Sequence, residues 1–185
     1  ETPYRDERGV DAQYAAVWGA LKFIAENREG MIHDQVEIFR RGHLDLLQQP
    51  IPPELLPDYP QYEDLMIQDF PAAYVIPADS EIQNSPHQPA RLINFLLFND
   101  VQVEQATEAF TLDGVDYPKG TYVVWLDQPK RGLANVILDD GLDLSYIPGL
   151  YFYSPPSVWS HPRLWGVNLA VMEDKLDIKT KTINK

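Results

Sequence analysis

A single stretch, Ala73 to Leu138, narrows the possible folds more than anything else in this chain, because each of its joints carries a recognisable signal. Ala73-Tyr74-Val75-Ile76 is a short apolar run with a β-branched centre, closed by Pro77, and suits a strand buried on both faces. A helix is expected next. Ser85 offers a cap, Pro86 fits a first turn that needs no amide donor, and Ile93, Leu96 and Leu97 share one helical face. Asn99-Asp100 ends it, and Val101 and Val103 alternate with Gln102 and Glu104 as a second strand. Asp113-Gly114 supplies the positive backbone angles of a tight turn between Phe110-Thr111-Leu112 and Val115-Asp116-Tyr117. After Pro118-Lys119-Gly120 comes the most apolar strand, Thr121 to Leu126. A short helix should follow from about Pro129 to Leu138, capped by Asp127, with Leu133, Val136 and Ile137 on its buried face.

This order predicts an α/β fold: a small, mostly parallel sheet flanked by helices. The strands at 73–76 and 101–105 should run parallel, joined by a right-handed crossover through the helix near 88–98. The strand at 121–126 should be interior and covered on both faces, and the hairpin should project from the sheet.

Outside the core the signals are coarser. Residues 1–48 read as a helical arm, with Tyr14, Val17, Trp18, Leu21 and Ile24 at three- and four-residue spacing after a possible cap at Asp11. Gly30 leaves two options, a pair of helices or one helix bent there. Residues 49–71 form a connector in which prolines at 50, 52, 53, 57 and 60 forbid a helix or central strand. The core spans 72–141. Residues 142–185 are an aromatic-rich extension and a charged tail, expected to fray beyond a strand at 167–171, and all four regions are expected to form one domain.

Charge excludes some partners. Twenty-eight acidic residues against 15 Lys and Arg give a net charge of −13, which repels phosphate backbones, so nucleic acid is not expected. No apolar run approaches the ~20 residues of a membrane span. Cysteine is absent, which removes disulfides, thiolate metal sites and cysteine nucleophiles. The chain starts with Glu, and it is expected to be an excised piece of something longer.

Catalytic patterns are hard to find. None of His33, His43, His87 and His161 begins a His-x-x-Glu or His-Glu-x-x-His motif, and His33 with Glu37 lacks a third ligand. There is no Gly-x-Ser-x-Gly elbow and no glycine-rich phosphate loop. The best-placed site is topological: ligands of open α/β sheets bind beyond the strand carboxyl ends. Here those ends hold Asp79 and Ser80 after the first strand, and Asp127, Gln128 and Arg131 after the third. The competing reading makes Asp127 a cap and leaves Arg131 in solvent. Asp79 or Asp127 as a general base is a further option, and it requires an enclosed pocket with a buried carboxylate.

Four blocks carry a resemblance: Ala73-Tyr74-Val75-Ile76-Pro77-Ala78-Asp79, Val101 to Phe110, Tyr117 to Val124, and Gln128-Pro129-Lys130-Arg131. In residues and spacing they resemble the region C-terminal to the catalytic domain in large bacterial zinc carboxypeptidase-like proteins of the carboxypeptidase A type. Ser160 to Val167 is similar to the segment that follows, and the arm matches loosely. The resemblance implies an accessory domain with an amidotransferase-like or flavodoxin-like fold, in an extracellular or cell-envelope (periplasmic) protein. Its partners would be the peptidase domain of the same polypeptide and that domain's peptide substrate. Zinc would sit in that catalytic domain, and no cofactor is implied for this chain. The family's zinc motif and general-base Glu have no matching positions here, so no catalytic or metal-binding residue carries over. Tyr151 to Ser157 departs from the family pattern. The alternative is a free-standing module that binds a small ligand at the strand ends.

Overall fold

The computed structural model describes residues 7–47, 69–78, 81–140 and 160–184. The prolines of the connector and the aromatic stretch 141–159 lie outside these. Contacts divide the chain into two compact units, Glu1–Ile38 and Phe39–Lys185.

The first unit is built on helix α1, Glu7–His43, whose last residues belong to the second unit. It begins ahead of Asp11 and passes through Gly30 as one helix. Nothing lies within 4 Å of the place a Gly30 side chain would take, so the glycine lowers helix propensity there without serving a close approach.

The second unit holds β1 (Ala73–Ile76), α2 (Gln88–Phe98), β2 (Val103–Ala106), β3 (Phe110–Leu112), β4 (Val115–Tyr117), β5 (Tyr122–Trp125), α3 (Arg131–Leu138), α4 (His161–Trp165), β6 (Ala170–Met172) and β7 (Thr180–Ile183). Five strands form one sheet in the order β6-β1-β5-β2-β7, and β3-β4 form a separate two-stranded sheet. The class is mixed α/β. The expected mostly parallel sheet is corrected: every neighbouring pair in the five-stranded sheet is antiparallel. Strands β1 and β2 do point the same way, since each is antiparallel to β5, but β5 lies between them.

The connection after β2 explains the insertion. A parallel neighbour needs a crossover of a dozen or more residues, usually helical. Here the chain spends the interval on the β3-β4 hairpin and re-enters beside β2, with Ala106 N–H donating to Thr121 O at 2.8 Å and Gly120 N–H to Ala106 O at 2.9 Å. Gly120, at φ +95°, makes that re-entry turn in a region that side chains disfavour.

Strand alternation sends side chains to two cores. Tyr74, Ile76, Val103 and Val124 face Leu92, Ile93 and Leu96 of α2 and Ala134, Ile137 and Leu138 of α3. Ala73, Val75, Val123 and Met172 face Leu112 and Tyr117 of the hairpin. Strand β5 is therefore central and covered on both sides, as its apolar run predicts. The hairpin does not simply project; it caps the second face with Leu112 and Tyr117, and Phe110 packs against them.

Several local expectations shift. The N-cap of α2 is His87 rather than Ser85, with Pro89 in the first turn. Helix α3 starts at Arg131, and its cap Lys130 makes no side-chain capping bond, so Asp127 does not cap it. Leu133 and Val136 are exposed, and Ile137 is joined inside by Ala134 and Leu138. The tail is ordered: Thr180–Ile183 pairs along the whole of β2.

Candidate functional site

Among the described residues, the carboxyl end of β5 leads into the segment that carries the sequence-predicted site residues Asp127, Gln128 and Arg131. Leu126 N–H donates to Ala72 O, so this loop lies beside the start of β1. The register Ile76↔Tyr122 puts the carboxyl end of β1 at the opposite end of the β5 pairing. Antiparallel pairing thus separates the two loops that a parallel sheet would bring to one crevice. Asp79 and Ser80 lie outside the described residues; Asp127, Gln128 and Arg131 occupy three different environments.

Gln128 is buried and works as a staple. Its Nε2 donates to Gln102 O at 3.0 Å and Trp125 O at 2.5 Å, while its Oε1 accepts from Gln102 N–H at 2.8 Å. All three bonds satisfy backbone groups where β5 ends, so the amide fixes the loop that carries Asp127. Arg131 is also buried. Its guanidinium donates to Leu46 O, stands 3.8 Å from Asp45 and lies 4.7 Å over the Phe70 ring. Burial pulls its pKa down, and Asp45 opposes that. The residue fastens the segment after α1 to the α3 start. Gly42 serves the same joint: a side chain there would run into the Gln128 carbonyl, so only glycine allows the approach. Lys130 stands 4.6 Å over the Phe39 ring beside it.

Asp127 alone of the three opens onto a cleft. The cleft is open to solvent, has a volume of about 580 Å³ and is lined by Glu104, Trp125, Asp127, Lys175, Asp177 and Thr180, with Leu176 and Ile178 as its apolar part. Asp127 Oδ2 is 2.5 Å from Lys175 Nζ, and that hydrogen bond raises the lysine's pKa. Lys175 Nζ lies 5.4 Å from the Trp125 ring centre. Trp125 Nε1 donates to Glu104 Oε2 at 3.0 Å, and Thr180 Oγ1 donates to the same carboxylate. The carboxylates thus meet internal donors across an indole wall. Such a site suits a molecule with an apolar face and exchangeable hydrogen-bonding groups; proton abstraction would call for a carboxylate in an enclosed, desolvated setting.

Glu104, Trp125, Lys175 and Thr180 were not legible as site residues. Glu104 looks like an ordinary outward strand position, and Lys175 is 48 residues from its partner in sequence. Two further carboxylates have local uses: Asp116 accepts from Thr111 Oγ1 at 2.7 Å, and Asp140 binds Arg163 at 2.6 Å. His161 stacks on Phe95 at 5.0 Å and meets Trp165 edge-on, and Arg91 covers that tryptophan. Among the described residues no three His, Asp or Glu side chains are grouped to hold a metal, and no helix is long and apolar enough to cross a membrane. The chain matches no family model, no curated protein and no solved structure.

Proposed function

We propose that this chain is a non-catalytic accessory domain of a zinc carboxypeptidase-like protein of the extracellular space or cell envelope. It supports peptide-bond hydrolysis carried out by a catalytic domain outside the chain. One observation carries the reading: the blocks that give the resemblance coincide with the framework of the sheet. They supply β1, β2, β5 and the Gln128–Arg131 joint, whose side chains are spent on burial and on stapling backbone. This supports reading the resembling part as a scaffold, as an accessory role requires. The test is a peptidase assay on the purified chain with added zinc, using peptides with free carboxyl termini, followed by the same assay on the carboxypeptidase A-type catalytic domain with and without the chain. No turnover alone and a change in the catalytic domain's kcat/KM or thermal stability are expected. Zinc-dependent turnover by the chain alone, lost on substituting a histidine, would overturn the reading.

The cleft beside Asp127 favours a second reading, a module that takes a small ligand there. Its check is the indole N–H resonance of Trp125 during titration with amino acids and short peptides. A saturable shift supports it, and a resonance unmoved by all of them removes it.

A further inference from the structure

Helix α1 carries a seven-residue repeat. Val10, Val17, Ile24, Met31 and Ile38 recur at that spacing over the length of the helix, and all five are 44 to 68 % exposed. Tyr14 and Leu21 stand four residues after the first two of them, and Trp18 and Ile32 flank the line, also exposed. An apolar line held to a strict heptad over four repeats, with a second apolar line beside it at Tyr14 and Leu21, has the pattern of a two-helix coiled-coil seam. We infer that the arm pairs with the arm of a second copy of this chain, antiparallel, through this seam.

Size and charge choose the occupant and the orientation. Covered completely, the nine side chains on and beside the line would remove at most roughly 1,000 Å² per copy from water, against the ~800 Å² per partner of a standard stable interface. Residues 7–43 hold six carboxylates against five Lys and Arg, so the helix approaches its own copy almost without net charge. Residues 44–185 hold 20 carboxylates against nine Lys and Arg. Each acidic body is tethered to the carboxyl end of its arm, so a parallel pair would tether both to one end of the coil, whereas an antiparallel pair tethers one to each end. The seam agrees. Arg28 and Gln35 continue the line of Tyr14 and Leu21, and an in-register parallel pair would stack Arg28 on Arg28. In the antiparallel pair each meets an apolar residue of the other line, along which an arginine stem can lie with its charge in water.

The test uses the intact chain. Sedimentation equilibrium should give the mass of two chains, and Leu21→Glu with Ile24→Glu should return it to one while the amide resonances of β1 and β5 stay unchanged. The absence of cysteine makes orientation readable. Tyr14→Cys alone should not cross-link under oxidation, and Tyr14→Cys mixed with Met31→Cys or Ile38→Cys should. A single-chain mass with α1 still helical overturns the inference. So does a dimer that survives Leu21→Glu/Ile24→Glu, a self-cross-linking Tyr14→Cys, or an arm that pairs only with a peptidase domain.

Discussion

Strand β5 and helix α1 both carry a row of apolar side chains, yet the two regions use them in opposite ways. Val123 and Val124 are fully buried between a pair of helices on one side and a hairpin on the other. Val17, Leu21 and Ile24 of α1 remain about half exposed. The difference separates two sources of stability. The body's strands are held by tertiary burial, whereas the exposed side chains of the helix leave propensity and the proposed pairing to hold the arm.

Truncating a side chain in each region measures the difference most strongly. Leu96→Ala, in the core facing β1 and β5, should cost about 2–5 kcal/mol by urea denaturation. Leu21→Ala, read at a dilution where chains are separate, should stay within about 0.5 kcal/mol. Equal losses would break the comparison.

Two glycines of the same helix sharpen it. Gly30→Ala should raise helicity and stabilise the arm by up to about 1 kcal/mol, because the space beside it is open. Gly42→Ala should destabilise the body by about 1–3 kcal/mol, because the new methyl group meets the Gln128 carbonyl. Circular dichroism melts of both variants give the two signs.

The body also has an alkaline signature. Tyr74 is buried, and its hydroxyl donates to Asn135 Oδ1 at 2.9 Å. Burial foremost, then Asp139, Glu173 and Asp140, raises its pKa above the ordinary value of 10.0. The unfolded tyrosine loses its proton first as pH rises past that value, so stability present below pH 10 declines above it. Tyr74→Phe should cost about 1 kcal/mol at neutral pH and flatten the alkaline decline of the urea midpoint. An unchanged decline would remove Tyr74 as its cause. The smallest effect belongs to the cleft. Asp127→Asn should change stability by less than about 1 kcal/mol, since Lys175 is largely exposed, and should lower the pKa of Lys175 in an NMR titration.

The sequence shows the elements of the body better than their arrangement. β1, α2, β2, the Asp113-Gly114 turn and β5 are each marked by residues within a few positions of themselves. The insertion of β5 between β1 and β2 depends on how the chain returns from the hairpin, which no window of sequence reports. β7 hides among charged neighbours because Thr180-Lys181-Thr182-Ile183 holds one large apolar residue and both its middle residues are exposed, as an edge strand allows. The site is legible to about the same degree. Asp127 stands out after a strand, but Gln128 and Arg131 resemble loop residues in solvent until their backbone partners at Gln102, Trp125 and Leu46 are known. Glu104 and Lys175 gain meaning only from the fold.

Hydrogen exchange along the intact chain, at a low concentration and at one about 100-fold higher, tests the contrast most directly. Amides of β1 and β5 should show the same strong protection at both concentrations. Amides of residues 10–38 should exchange quickly when dilute and slow markedly when concentrated. An arm as protected as β5 in dilute solution would contradict the account.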